Sequence, residues 1–179
     1  GRLYIAMEYV AGETLAQLVG RRAAGPVWGR IRILVDLCAG LHFAHCASIV
    51  HRGIQPANVM FDPSGVVKIL DFGIARGGGG RITRAGDIVG TLNYMSPEQL
   101  AGGPVDHRTD VYSVGAVAYE LITGHMAFPG TIQTGVLFNI LNSSPVPIES
   151  LVPGTDPDIA ATIGRAMARE PGERYPDLE

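Results

Sequence analysis

The residues most able to do chemistry lie in one short stretch of the chain. The basic pair His51-Arg52 opens this stretch, Asn58 follows, and Asp71 comes thirteen residues after Asn58. Side chains of these types bind phosphate, metal ions or protons in proteins. Each of them singly could be an ordinary turn residue, so their meaning depends on the elements that surround them.

The flanking sequence predicts a helix and a pair of strands around this stretch. From Arg30 to Ala47, apolar residues recur at the spacing of an amphipathic helix, and this helix leads to His51. Val59–Phe61 and Val66–Leu70 are predicted to be short strands, because the turn-forming sequence Asp62–Gly65 joins them. The chemistry-bearing stretch is therefore predicted to be a loop between a helix and a hairpin.

The rest of the chain is predicted to be mainly helical, which gives an α+β fold dominated by helices. A strand over Leu3–Val10 and a short helix over Glu13–Val19 precede a loop over Gly20–Gly29, and a glycine-rich loop follows Gly73. Further helices are predicted over Val111–Thr123, Thr131–Asn142 and Asp158–Arg169. The first of these is apolar on nearly all sides and is predicted to be a buried central helix.

Composition excludes several classes of function. The 179 residues are 46% apolar and 17% charged, which favours a globular domain over a disordered chain. A formal net charge of -3 predicts no nucleic-acid partner. No apolar run reaches the length of about 18 residues that a membrane helix requires, so no membrane contact is expected within this segment.

The two cysteines do not predict a disulfide. Cys38 and Cys46 lie eight residues apart in the same predicted helix, where their side chains cannot meet. We interpret both as small buried apolar residues, which is compatible with a reducing, cytoplasmic compartment. A membrane anchor of the parent protein would lie outside this segment.

The stretch from Ile49 to Gly73 resembles the catalytic loop and metal-binding loop of protein kinases. The kinase pattern is H-R-D-x-K-x-x-N followed by D-F-G. The matching residues are His51, Arg52, Asn58, Asp71, Phe72 and Gly73. The segments Met95-Ser96-Pro97-Glu98-Gln99 and Pro56-Ala57-Asn58-Val59 are similar to those of bacterial Ser/Thr kinases.

This resemblance implies a site for ATP and magnesium. Asn58 and Asp71 would be the metal ligands and, with positions 53 and 55, the catalytic group. The nucleotide would be contacted by the gatekeeper position Met7, by backbone groups of Glu8 and Val10, by Glu13 at a ribose hydroxyl, and by Met60 under the adenine. Plain core packing is an equally good interpretation of Met60.

Other implied roles are architectural or regulatory. Glu98 would pair with Arg174, and Asp110 would accept N–H bonds from the turn at His51 unless it is a simple helix cap. Phe72 belongs to the same structural group.

The regulatory roles concern a phosphorylated loop. Arg52 would bind a phosphate carried by Thr83, although Thr83 could equally be an ordinary loop threonine. Thr91 in the same loop is interpreted as structural.

Two departures from the pattern bear on activity. The position of the catalytic Asp is Gly53, and the position of the catalytic Lys is Gln55. The sequence therefore leaves two functions open. The first is a Ser/Thr protein kinase with impaired phosphoryl transfer, and the second is a pseudokinase that acts as a scaffold or regulatory binding module.

The resemblance also predicts a partial domain over 1–179. Residues 1–12 would be the last small-lobe strand and the hinge, and residues 13–179 the helical large lobe with its last helix truncated. No glycine-rich loop and no V-A-I-K lysine precede Met7, so the missing small lobe is an expected partner. The segment alone is expected to be inactive, and the sequence does not identify its protein substrate or regulated partner.

Overall fold

The computed structural model describes residues 8–21, 26–72, 92–130 and 132–179. Within them the helices are α1 (Leu15–Gly20), α2 (Val27–Cys46), α3 (Pro97–Ala101), α4 (Arg108–Thr123), α5 (Gln133–Asn142), α6 (Ile148–Leu151) and α7 (Pro157–Ala166). The strands are β1 (Glu13–Thr14), β2 (Val59–Phe61) and β3 (Val67–Ile69), and short 3₁₀ turns cover Pro56–Asn58 and Pro171–Glu173. The predicted mainly helical α+β class is confirmed.

The three strands form one antiparallel sheet in the order β1-β2-β3. Val59 of β2 lies opposite Ile69 of β3, and Met60 of β2 lies opposite Thr14 of β1. This register brings the start of β2 and the end of β3 to the same end of the hairpin, opposite its turn. Asn58 and Leu70 therefore lie side by side, and the Leu70 N–H donates to the Asn58 carbonyl at 2.8 Å.

The turn between β2 and β3 is stabilised by its own side chains. The carboxylate of Asp62 accepts the N–H groups of Ser64 and Val66 at 2.9 and 3.0 Å. Gly65 has a φ of 85°, a conformation that residues with a Cβ rarely adopt. The hairpin is thus encoded locally, and the predicted strands lie within one residue of the observed ones.

Helix α4 is the buried centre of the fold. Its residues from Thr109 to Ile122 are all buried, and it contacts both α2 and α7. Gly115 permits the close approach of α7, because a Cβ there would come within 2.8 Å of Met167 Cγ and 3.0 Å of Ala166 Cβ. Gly124 ends the helix at a φ of 74°.

The long helix α2 begins three residues earlier than the sequence predicts. Pro26 and Gly29 were expected to belong to a loop, yet Pro26 occupies the N-cap position of α2. The carbonyl of Pro26 accepts the N–H groups of Gly29 and Arg30 at 2.9 and 3.3 Å, which starts the helix. A proline at this point has no N–H to leave unpaired, so it does not oppose helix formation.

Two other helix boundaries differ from the predicted ones. Helix α6 lies within the connection predicted between Ser144 and Pro157. Helix α7 ends at Ala166 rather than Arg169, and the carbonyls of Ala168 and Arg169 instead accept bonds from the Arg174 guanidinium at 2.8 and 2.9 Å. These two contacts span only six and five residues, but the same guanidinium is also bonded to Glu98, 76 residues away, which no local pattern shows.

Two predictions about the chain's first residues and cysteines need correction. Residues 8–10 are described and form no strand, since no second strand lies beside them in the described part of the chain. The strand residues before them and the glycine-rich loop after Gly73 lie outside the described residues. Cys38 and Cys46 are free thiols, as expected, but Cys46 is exposed because it ends α2. Burial raises the pKa of Cys38 to about 11.

Candidate active site

Asp110 anchors the loop at His51 from below. Its carboxylate is fully buried, and it accepts the N–H groups of His51 and Arg52, both at 2.8 Å. The contact implied by the resemblance is therefore present. Asp110 lies inside the first turn of α4 rather than at its N-cap, which is His107. The simple cap interpretation of Asp110 does not describe this geometry.

His45 is a third partner of Asp110 that the sequence interpretation missed. Its Nε2–H donates to Asp110 Oδ2 at 2.8 Å, and the His45 side chain is only 7% exposed. A signal was present, because His45 follows the buried residues Leu37 and Leu41 at intervals of four. A histidine on the packed face of a helix requires a polar partner.

The His51 ring holds the loop internally. It is fully buried, and its Nε2 lies 2.8 Å from the Leu70 carbonyl, which can only accept. Nε2 therefore carries the proton, and Nδ1 accepts the Gly53 N–H at 3.2 Å. The ring of Phe72 packs against His51 with centroids 4.7 Å apart. His51 and Phe72 are thus brought together.

Two backbone carbonyls of the loop are also held by side chains. Asn58 Nδ2 donates to the Gly53 carbonyl at 2.8 Å, and Gln99 Nε2 donates to the Arg52 carbonyl at 2.9 Å. Arg52 has a φ of 64°, in the left-handed region that a non-glycine residue adopts only when its surroundings require it. Asp110, His51, Asn58 and Gln99 therefore hold the backbone of this loop.

Asn58 and Asp71 lie at the same end of the hairpin, as a shared metal site would need. Asn58 precedes β2, Asp71 follows β3 by two residues, and the Leu70–Asn58 backbone bond joins their ends. Because the Asn58 amide nitrogen donates to Gly53, its oxygen is the atom left for a ligand. Asp71 is exposed and has a φ of 55°.

The two departures from the kinase pattern lie in this ordered loop. Gly53 offers neither acid nor base, and an ideal Cβ at this position would meet only His51 atoms, at 3.8 and 3.9 Å. Those distances are ordinary contacts, so the backbone has room for a side chain. Gln55 is half-buried, and its carbonyl accepts the Asn58 N–H at 2.9 Å. Its side chain is a neutral amide where the pattern has a cation.

Glu98 and Arg174 form the predicted ion pair. Arg174 donates from its two terminal nitrogens to the two Glu98 oxygens, each at 2.8 Å, and Thr109 donates to Glu98 at 2.6 Å. Arg174 is 2% exposed and also donates to the carbonyls of Ala168, Arg169 and Arg108. Burial alone would raise the pKa of Glu98, but the bonds from Arg174 and Thr109 outweigh it and lower the pKa to about 2.

The segment before Glu98 is attached to α4 by buried polar contacts that the sequence did not reveal. The Tyr94 hydroxyl donates to Glu120 at 2.5 Å, and Ser113 donates to the Tyr94 carbonyl at 2.7 Å. Burial raises the pKa of Glu120, although the Tyr94 hydrogen bond partly opposes this. The contacts span 26 and 19 residues, so no local pattern could predict them.

The predicted nucleotide residues are only partly described. The Glu8 carboxylate lies 3.6 Å from the Lys68 ammonium nitrogen, Val10 is half-buried, and Glu13 forms an ion pair with Arg21. Met60 is half-buried in the centre of β2, which agrees with either adenine contact or packing. Met7 lies outside the described residues.

Of the predicted regulatory residues, the structure describes only Arg52. The Arg52 side chain is exposed on the loop surface. Thr83, Thr91 and Gly73 lie outside the described residues, so the phosphate-binding role of Arg52 stays a prediction.

The sequence comparisons establish the family. The family model described as protein kinase domain matches residues 1–161, and the chain belongs to the protein kinase family. Two relatives indicate the bacterial Ser/Thr type. The serine/threonine-protein kinase PknB of Mycobacterium tuberculosis is 39% identical over 177 residues, which cover 96% of this chain and 28% of that protein. PknL of the same organism is 37% identical over 175 residues, which cover 97% of this chain and 44% of PknL.

The chain thus spans less than half the length of these relatives. PknB of Mycolicibacterium smegmatis is 40% identical with the same coverage as its Mycobacterium tuberculosis counterpart. The predicted resemblance to bacterial Ser/Thr kinases is confirmed. In the described part of the chain, no helix is long and apolar enough to cross a membrane.

Proposed function

We propose that this chain is the large lobe of a Ser/Thr protein kinase-like domain that binds ATP with Mg²⁺ and transfers the phosphoryl group poorly. One observation carries this proposal. The loop from His51 to Asn58 has its backbone held by hydrogen bonds, while the side chains at Gly53 and Gln55 supply neither a proton acceptor nor a cation.

The donor set at Asn58 and Asp71 fits magnesium. Mg²⁺ prefers oxygen ligands and is usually held by one or two carboxylates together with substrate phosphates. No group of three or more His, Cys, Asp or Glu side chains is arranged for a metal among residues 8–21, 26–72, 92–130 and 132–179. Two protein oxygens without a complete protein cage suit an ion shared with a nucleotide. When bound, that ion neutralises charge on the phosphates.

The residues at positions 53 and 55 explain the expected loss of transfer. In the kinase reaction, an acceptor beside the attacking hydroxyl contributes about 10² to 10⁴ in rate. Gly53 cannot accept a proton, and Gln55 can donate a hydrogen bond to phosphate but cannot neutralise it. Both losses fall on the same transition state and need not add.

A pseudokinase that binds nucleotide without transferring phosphate is the second candidate. Gly53 and Gln55 favour it as well. The hydrogen bonds that hold Asn58 and the Arg52 carbonyl do not involve the side chains at 53 and 55, so these contacts do not require the catalytic side chains. The two candidates differ only in whether residual transfer occurs.

Transfer of labelled γ-phosphate decides between them in the full-length protein. The unaltered protein is compared with a variant carrying both Gly53→Asp and Gln55→Lys, and we expect the variant to transfer at least about 10²-fold faster. Phosphorylation by the unaltered protein at about 1 to 100 per second would refute the impaired function. No transfer at all by the unaltered protein, with transfer by the variant, would establish the pseudokinase.

Nucleotide titration tests the metal site separately. ADP binding is measured with and without Mg²⁺ in the unaltered protein and in Asp71→Asn, with Asp62→Asn as a control carboxylate in the hairpin turn. We expect Mg²⁺ to strengthen binding in the unaltered protein and the Asp62 variant but not in the Asp71 variant. Equal metal dependence in all three would contradict the role of Asp71.

A further inference from the structure

The peptide that joins Arg52 to Gly53 is held from both sides. Its carbonyl accepts a bond from Gln99 Nε2 at 2.9 Å, and its N–H donates to His51 Nδ1 at 3.2 Å. The next carbonyl, that of Gly53, accepts the Asn58 amide at 2.8 Å. A continuous set of hydrogen bonds therefore leads from Gln99 to the amide whose oxygen would face a metal ion.

Glycine makes this peptide more dependent on its partners. A glycine at position 53 allows a wider range of backbone conformations than any residue with a Cβ. The preceding residue, Arg52, already has the unfavourable φ of 64°. The intrinsic preferences of Arg52 and Gly53 therefore do not select this orientation. The hydrogen bonds from Gln99 and to His51 fix the peptide, beside the bond from the Arg52 N–H to Asp110.

We propose that Gln99 is a positioning residue that fixes the Arg52–Gly53 peptide and links the helix after Ser96 to the Asn58 amide. Gln99 belongs to α3, directly after Glu98. It is the residue of α3 that donates to the loop, over a separation of 47 residues. The part of this role that concerns metal rests on the proposed function, whereas the effect on the peptide does not.

Gln99 also has an ordinary helix-capping contact, and Gln17 makes the same contact in α1. Gln99 Oε1 accepts the Ser96 N–H at 3.0 Å and its hydroxyl at 3.3 Å. In α1, Gln17 Oε1 accepts the Thr14 N–H at 2.8 Å and its hydroxyl at 3.3 Å. Helix α1 packs against the 3₁₀ turn Pro56–Asn58, but within the described residues Gln17 makes no hydrogen bond to the Arg52–Gly53 peptide, so it is a control matched in its cap.

The deciding substitution is Gln99→Glu, with Gln17→Glu as its control. A glutamate keeps the accepting oxygen of a capping box, so both variants should keep their helix cap. It cannot donate to the Arg52 carbonyl, and its charge repels that oxygen. Only Gln99→Glu should therefore release the Arg52–Gly53 peptide.

Amide hydrogen exchange of Gly53 measures the release directly. We expect exchange about five-fold faster in Gln99→Glu, the factor that corresponds to one neutral hydrogen bond of about 1 kcal/mol. The Gln17→Glu variant should leave Gly53 exchange unchanged. Unchanged exchange in Gln99→Glu, or an equal increase in both variants, would overturn the positioning role.

A second pair of variants removes the effect of charge. Gln99→Met and Gln17→Met each lose the cap, but only the first also loses the donor to Arg52. Faster Gly53 exchange in Gln99→Met than in Gln17→Met supports the role, and equal exchange contradicts it. This pair decides the matter if Gln99→Glu does not fold.

Metal-dependent nucleotide binding tests the link to Asn58. We expect the strengthening of ADP binding by Mg²⁺ to fall about five-fold in Gln99→Glu and to stay unchanged in Gln17→Glu, because outer partners orient metal ligands. If the unaltered protein shows no such strengthening, the proposed function fails and Gly53 exchange still decides the role of Gln99. Normal strengthening in Gln99→Glu would refute the link to Asn58.

Discussion

The ion pair between Glu98 and Arg174 predicts an acid limit to the stability of this protein. The hydrogen bonds from Arg174 and Thr109 outweigh burial and hold the folded pKa of Glu98 at about 2, below its ordinary value of 4.5. A carboxyl group whose pKa is lowered by folding stabilises the folded state when it is ionised. Its contribution is therefore complete above pH 4.5 and is lost as the pH falls toward about 2.

The size of this contribution follows from the pKa difference. At about 1.4 kcal/mol per pKa unit, the change from 4.5 to about 2 corresponds to about 3 kcal/mol. The Glu98 side chain is 11% exposed, so solvent screens part of the interaction. We expect about 2 kcal/mol to be measurable.

The perturbation is Glu98→Gln, which keeps the shape of the side chain and removes its charge. The free energy of unfolding is measured with urea from about pH 7 to about pH 2.5 in the unaltered protein and the variant. The variant should be less stable by about 2 kcal/mol at neutral pH, and this gap should shrink by more than half by about pH 2.5.

The gap between the two proteins, rather than either curve alone, isolates Glu98. Asp106 also has a lowered pKa, because Arg108 hydrogen-bonds to it, and its acid titration affects both proteins equally. Arg174→Lys is a useful companion, since it keeps the charge but loses donors to buried carbonyls, and should cost stability at every pH. A Glu98→Gln gap of the same size at pH 2.5 and pH 7 would refute the reasoning.

Three further predictions concern buried groups and glycines. Glu120→Gln should stabilise the protein increasingly as the pH rises above 4.5, because burial raises the pKa of Glu120 and a neutral amide can still accept the Tyr94 hydrogen bond. Urea unfolding at two pH values measures the stability gained by the variant, and a gain that falls as the pH rises would contradict the prediction. Gly53→Asp should change the free energy of unfolding by less than about 0.5 kcal/mol, since its Cβ makes only ordinary contacts. A larger loss of stability would show that the loop cannot hold a side chain at this position. Gly115→Ala should lower the free energy of unfolding by about 1 to 3 kcal/mol, because its Cβ meets the residues at the end of α7. Gly164→Ala, whose Cβ would have nothing within 4 Å, should raise it by about 0.5 to 1 kcal/mol. Thermal unfolding measures both variants, and equal effects would contradict the close packing at Gly115.

The parts of the fold that the sequence predicted are those whose causes are local. The β2–β3 hairpin depends on Asp62 and Gly65 within its own turn, and the burial of α4 follows from its apolar composition. The start of α2 was missed because Pro26 and Gly29 favour loops in most settings. Helix α6 is a single short turn for which the sequence carries no clear signal.

The residues of the candidate site likewise include some that the sequence could predict and some that it could not. The motif residues and the Glu98–Arg174 pair could be expected from the family resemblance, and the structure shows their contacts. Gln99 could not be found from the sequence, because its bond to Arg52 crosses 47 residues and depends on how α3 meets the loop. His45 could have been found from its helical spacing with Leu41, had a partner been sought for it.

The loop at Gly53 is fixed through its backbone rather than through the side chains at positions 53 and 55. The carboxylate of Asp110, the ring of His51 and the amides of Asn58 and Gln99 bind main-chain N–H and carbonyl groups, which every residue except proline provides. We therefore expect substitutions at positions 53 and 55 to leave these bonds in place and the domain folded. The conformation of this loop and the chemistry of its side chains at positions 53 and 55 are thus set by different residues.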